Sequence, residues 1–177
     1  MIWRSSHPDW VDAAGWAELR ARGVRTVVDL RNADERTEAH DKLDGIRLVH
    51  APIEDVEHPD YVGRWNGEWA TPDFFTWARG TWPDLWESAF GAIADAAGGV
   101  LLHCASGRDR TGMMTAVILE TAGVEREATL DDYVRGIRES DNRNIDHHVD
   151  EYRASLVHLL DGLQPEPALR RAAARLR

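Results

Sequence analysis

Only one cysteine, Cys104, occurs in 177 residues. An internal disulfide and a thiolate cluster for zinc are therefore excluded, and a reducing compartment is indicated. Long apolar runs are lacking too. The opening Met1-Ile2-Trp3-Arg4-Ser5-Ser6-His7-Pro8 carries neither a signal-peptide core nor a membrane span, so the expected location is the cytoplasm. Positive charge is short: the formal net charge of −10 argues against a nucleic-acid partner. Internal repeats and low-complexity segments are absent, as is the Gly-Lys-Thr pattern of ATP- and GTP-binding loops. The length itself suits one domain, residues 1–177, with a single substantial core.

What is present centres on Val100-Leu101-Leu102-His103-Cys104-Ala105-Ser106-Gly107-Arg108-Asp109-Arg110-Thr111-Gly112. Val100 to Leu102 read as a strand. A short loop follows, and an apolar helix runs from about Arg110 to Ala122, with Gly123 as its stop. Strand, loop and helix start of this kind turn successive backbone N–H groups into one concavity and add the positive end of the helix dipole, which makes a cradle for an anion. Cys104 sits at its mouth, where the dipole and Arg110 favour the thiolate and hence a nucleophile. Arg110 can grip two oxygens of a phosphoryl group with its planar fork, and Thr111 can donate to the sulfur as it leaves. Gly107 and Gly112 allow close approach to the anion and to the preceding strand.

His103-Cys104, five residues, then Arg110-Thr111-Gly112 resembles the signature of the cysteine-dependent protein-tyrosine, dual-specificity and phosphoinositide phosphatases. Gly107-Arg108-Asp109-Arg110 is similar to the Gly-Lys-Asp-Arg loop of a bacterial tyrosine phosphatase branch and to myotubularin-type lipid phosphatases. Arg4-Ser5, then Val28-Asp29-Leu30-Arg31 with Glu35, extends the resemblance over the N-terminal third. Asp132-Tyr133 matches a recurring pair after the central helix. The resemblance implies a phosphate monoesterase working through a cysteinyl-phosphate, with no metal and no cofactor. Its substrate would be a phosphorylated protein or a small phosphate monoester, bound by Ala105, Ser106, Gly107, Arg108, Asp109 and Arg110. Arg108 has an alternative use at the pocket rim, holding a second phosphate as in lipid phosphatases.

Taken in order, Ile2-Trp3-Arg4 reads as a first strand, and Asp9 caps a helix from Trp10 to about Arg22. Val24 to Leu30 is a strand rich in β-branched residues. Asn32 to Asp44 is polar, and Ile46 to Ile53 is another strand closed by Pro52. Residues 56–81, rich in aromatics (Trp65, Trp69, Trp77, Phe74 and Phe75, with Trp82 next in line), read either as an irregular lid or pocket wall or as a packed insertion with short helices. The eight tryptophans belong mostly to core or cleft wall. A helix opens near Thr81 and runs to about Ala97. Further helices span about Glu127 to Glu139 and Ile145 to Leu163, and residues 165–177 form a basic surface helix. Strands alternating with helices imply an α/β fold: a mostly parallel central sheet flanked by helices, in the dual-specificity-like phosphatase architecture.

The chemistry also requires an acid to protonate the leaving oxygen and later a base to activate water. Asp109, inside the cradle, is the first candidate. Asp55 is the second: Pro52-Ile53-Glu54-Asp55 resembles the family's Pro-x-x-Asp, where carboxylates can overlook the site. Asp84 is third, in a Trp-Pro-Asp that reads equally as a helix start capped by Thr81. His103 tunes the loop rather than acting as a base. His147-His148, beside Asp146 and Asp150, reads as a solvated face rather than a metal site. A phosphate-binding interaction module and a sulfurtransferase are the rivals from other classes.

Overall fold

The computed structural model describes residues 1–36, 45–65, 71–140 and 149–176. Four strands form the sheet: β1 (Ile2–Ser5), β2 (Val24–Asp29), β3 (Arg47–His50) and β4 (Gly99–His103). Their order is β1-β4-β2-β3, with every neighbouring pair parallel. The expected parallel α/β sheet is therefore present. β4 lies inside it, flanked on both sides and covered on both faces, which is why Val100, Leu101 and Leu102 form an unbroken apolar run. Leu101 packs with Trp16, Val24, Val27 and Ile46 on one face. Val28, Val100 and Leu102 join the larger core on the other.

Register fixes where the strands stop. Ser5 and Asp29 both lie opposite His103, and Asp29 lies opposite His50. All four carboxyl ends are thus level, and the segments leaving them meet at one edge, where open α/β sheets bind ligands.

Helix α1 (Ala13–Ala21) starts later than the sequence suggests. Asp12 is its cap, accepting from the Gly15 N–H at 2.8 Å, while Asp9 turns to Arg31 at 3.5 Å. Trp10 is outside the helix and 72% exposed. β3 is shorter than the Ile46-to-Ile53 run, because the chain leaves the sheet before Pro52.

The aromatic-rich segment contains two short helices, α2 (Pro59–Trp65) and α3 (Pro72–Thr81). The Thr71 hydroxyl caps α3 by accepting from the Phe74 N–H at 3.2 Å, and Phe74, Phe75 and Ala78 are buried. Trp69 lies outside the described residues. Thr81 ends α3 instead of capping α4 (Pro83–Ala94), and the single residue Trp82 joins the two.

Helix α5 (Asp109–Ala122) buries Thr111 to Met114 and Ala116 to Ile118 and stops at left-handed Gly123. After α6 (Arg126–Glu139) comes α7 (Val149–Asp161); Ile145, Asp146, His147 and His148 lie outside the described residues. The basic C-terminal helix, α8 (Pro167–Ala174), docks more deeply than a surface helix. Ala168, Leu169, Ala172 and Ala173 are buried in the main core, while Arg170 and Arg171 remain exposed. Among the described residues, no helix is long and apolar enough to cross a membrane.

Candidate active site

β4 hands the chain to the loop at His103, and Cys104, next in line, is only 1% exposed. Residues 105–108 bend without regular structure before α5 begins at Asp109. The loop lies against the start of the chain: the His7 N–H donates to the Ala105 carbonyl at 3.0 Å. Arg4 donates to the Gly107 carbonyl at 2.9 Å and to Asp132 on α6 at 2.6 Å. Arg4-Ser5 and Asp132, known from the sequence only as a resemblance, thus form one brace behind the loop. A cavity of about 630 Å³ opens beside it, between Ser6, His7, Ser106, Arg135 and Ser140.

Gly107 has φ +72, and a Cβ there would lie 2.5 Å from the Ser5 carbonyl oxygen and 2.6 Å from the Ser6 nitrogen. Both backbones would have to part. Replacing Gly107 by Ala should therefore cost about 2 kcal/mol or more of stability, from the left-handed conformation and the collision together. Urea unfolding of G107A at pH 7 measures it. Gly112 differs from expectation. It makes room for the Tyr133 ring of α6, 2.9 Å from where its Cβ would be, rather than for the preceding strand.

Arg110, in the first turn of α5, folds back over the sheet edge. Its two terminal nitrogens donate to both carboxylate oxygens of Glu35, with Nη2 to Oε1 at 2.6 Å. Glu54 lies 3.7 Å from Nη1. Burial opposes the Arg110 charge, but the Glu35 hydrogen bonds and the charges of Glu54 and Cys104 outweigh it and hold the guanidinium above its ordinary range. Cys104 is thus among the groups within electrostatic reach of the guanidinium.

Sequence reasoning did not assign Glu35 or Glu54 to the site. Glu35 closes a short 3-10 turn (Ala33–Glu35), where its Oε2 accepts from the Asn32 N–H at 2.8 Å. The Asn-x-x-Glu spacing was the available signal. Asn32 also donates its side-chain amide to Glu54 at 3.1 Å. Glu54 is 8% exposed, and burial pushes its carboxyl up to about 7 against the pull of Arg110 and Asn32.

Asp109 is the first residue of α5. Burial raises its carboxyl above the usual range, and Arg108 and Arg110 pull it back. Arg108 turns to its neighbour: its Nε donates to Asp109 at 2.8 Å, within electrostatic reach of Tyr152 and Tyr133. Asp55 accepts from the Glu57 N–H at 3.1 Å within its own turn, so it is the neighbouring Glu54 that meets Arg110. Asp84 is exposed in the first turn of α4, a helix-start position. The Thr111 hydroxyl is buried with no hydrogen-bond partner among the described residues. The fully buried His103 donates from Nδ1 to the Cys104 carbonyl at 3.1 Å, and its Nε2 lies 3.8 Å from Asp29.

Fold and site define an α/β protein with a cysteine–arginine loop at the carboxyl edge of a parallel sheet. The model of the tyrosine phosphatase family matches residues 1–173, and the chain belongs to that family. A tyrosine-protein phosphatase of Nostoc commune is 28% identical over 128 residues, 65% of this chain and 41% of the relative. A putative tyrosine-protein phosphatase of Cupriavidus necator is 28% identical over 177 residues, covering 95% of this chain and 61% of its own. The triple specificity protein phosphatase PtpB of Mycobacterium tuberculosis is 29% identical, with 76% and 60% covered. The chain thus spans less than two thirds of each of these relatives. Among solved structures, P. aeruginosa TpbA is 21% identical, with a TM-score of 0.47 over 90% of this chain and 84% of that one.

Proposed function

We propose that this chain hydrolyses phosphate monoesters, phosphotyrosine foremost, through a cysteinyl-phosphate intermediate and without a metal ion. The observation that carries the reading is Arg110, held by Glu35 in the first turn of α5 and within electrostatic reach of Cys104 at the end of β4. In the first step the Cys104 thiolate attacks phosphorus. The P–O bond to the leaving group breaks, and Asp109 gives that oxygen its proton. Loop N–H groups and Arg110 stabilise the charge spread over the three equatorial oxygens. In the second step a water loses its proton to Asp109 and attacks phosphorus, releasing inorganic phosphate. The Cys104 thiolate is restored, and the Thr111 hydroxyl, without a partner among the described residues, is available to donate to it.

The lone thiol suits a reducing, cytoplasmic setting. Arg108 is committed to Asp109, which favours phosphotyrosine over a substrate with a second phosphate. One relative is named for triple specificity, so phosphoserine and phosphothreonine peptides belong in the same assay. Purified protein should release phosphate from p-nitrophenyl phosphate, with inhibition by vanadate, and turn over phosphotyrosine peptides faster than inositol phosphates. The reverse preference would transfer the site to phosphoinositides. With its carboxyl raised, Asp109 acts as acid until pH climbs through its pKa, so the rate falls on the basic side. Asp109→Asn should remove that limb and lower turnover of poor-leaving-group aryl phosphates by about 100-fold. Full activity of D109N on those substrates would pass the role to Asp55, then to Asp84.

A further inference from the structure

The Arg110 guanidinium is shared between two carboxylates from different segments. Glu35 holds it by two hydrogen bonds, and Glu54 approaches the same Nη1 to 3.7 Å. Burial, which is greatest at Glu54, opposes the ionised form of both. The Arg110 and Asn32 hydrogen bonds overcome it at Glu35, whose carboxyl is held below its ordinary range. With Glu54 neutral, the Glu35–Arg110 pair has no net charge. With Glu54 ionised, the cluster is negative before any ligand arrives, and a dianion must enter against that charge.

We propose that Glu54 is a positioning residue for Arg110, and that it takes up a proton when the cradle binds a phosphate-like dianion. The inference rests on the reading of the loop as a phosphate site and specifies how that site is regulated. Among the described residues, the groups that act on Glu54 come from three neighbouring segments. They are Asn32 and Glu35 from the turn after β2, Asp109 and Arg110 from α5, and Tyr61 from α2. Glu35 and Asp109 are negative when ionised and oppose ionisation of Glu54, whereas Arg110 and the Asn32 amide favour it. A bound dianion adds to the first group and occupies Arg110, so both changes drive Glu54 toward its protonated form. With a free-site pKa of about 7, the response falls near neutral pH. Anion affinity is high below that point and declines above it.

The test uses sulfate, which stays a dianion from pH 5.5 to 8.5, and the C104S protein, which removes thiol titration. Calorimetry at pH 6 and pH 8 should give a dissociation constant about tenfold weaker at the higher pH. At pH 7, titrations in two buffers of different ionisation enthalpy should show uptake of a fraction of a proton per sulfate. The doubly substituted C104S/E54Q protein, its fold checked by circular dichroism, should bind sulfate with little pH dependence and no uptake. Sulfate binding with a flat pH response and no uptake in C104S overturns the inference and leaves the phosphate-site reading intact. The same pH dependence in C104S/E54Q also overturns it, because the proton then sits elsewhere. Should C104S/E54Q not fold, the two-buffer measurement on C104S alone decides. Absence of sulfate binding to C104S at both pH values overturns the phosphate-site reading and the inference together.

Discussion

Cys104→Ser should lower kcat on p-nitrophenyl phosphate by at least about 10⁴-fold, a loss of about 5.5 kcal/mol of transition-state stabilisation. A serine hydroxyl in the same place is not ionised near neutral pH and is a far weaker nucleophile. The substitution is nearly isosteric at a position only 1% exposed, so folding should be unaffected and the melting temperature unchanged. Binding of vanadate or sulfate should survive, because the loop N–H groups and the Arg110–Glu35 pair remain. Wild-type enzyme quenched during turnover should carry phosphate on Cys104, identifiable by mass spectrometry. A serine variant within tenfold of wild type would eliminate the cysteinyl-phosphate route.

That survival follows from how the site is assembled. The nucleophile, the guanidinium and the carboxylates come from three connections that leave adjacent parallel strands at the same height. Cys104 and Arg110 follow β4, Asn32 and Glu35 follow β2, and Glu54 follows β3. Strand register therefore does what the cysteine alone cannot. It sets Glu35 and Glu54 against Arg110, so the guanidinium is aimed whether or not sulfur is present.

The same fact explains what could be read from the sequence. The cysteine loop was legible because its chemistry is local: strand, loop and helix start are consecutive, and apolar Val100 to Leu102 and Met113 to Ile118 mark both flanks. β2 was legible through its β-branched residues. Which carboxylate reaches Arg110 was not, because that depends on the pairing of β2 with β3 and β4 over tens of residues. Asp55 matched a pattern, yet its neighbour Glu54 makes the approach, since successive residues of an extended segment point to opposite sides. The helices at 59–65 and 72–81 were legible only as one of two readings, and their bounds were not, for a different reason. Their aromatic residues are poor helix formers individually, and α3 is stabilised by its Thr71 cap and by burial of Phe74 and Phe75. Asp9 resembled a helix cap but is held by Arg31, a contact that no local spacing reveals.

Arg31→Met should destabilise the fold by about 3–5 kcal/mol at pH 7, because it strands a buried charge. Asp29 is fully buried at the end of β2, and Arg31, 2% exposed, holds its carboxylate with Nε and Nη2 at 3.0 and 2.9 Å. Burial opposes ionisation of Asp29, but the Arg31 bonds and the His103 charge outweigh it and keep the carboxyl below its ordinary value. A lowered folded-state pKa means that this stabilisation is present above the unfolded carboxylate pKa, about 3.9, and is lost as pH falls through the lower folded value. Without Arg31 the burial effect dominates and the Asp29 pKa rises. The deficit of R31M relative to wild type should therefore be largest near neutrality and shrink toward pH 4, where Asp29 is protonated in the variant. Urea unfolding at pH 7.0 and at pH 4.5 measures both values, and a loss of about 3–5 kcal/mol should appear as a melting point lower by about 10 °C. Arg36, 3.4 Å from Asp29, is the nearest substitute cation; if R31M loses less than about 1 kcal/mol at pH 7, the Arg31 pair is not what stabilises the buried carboxylate.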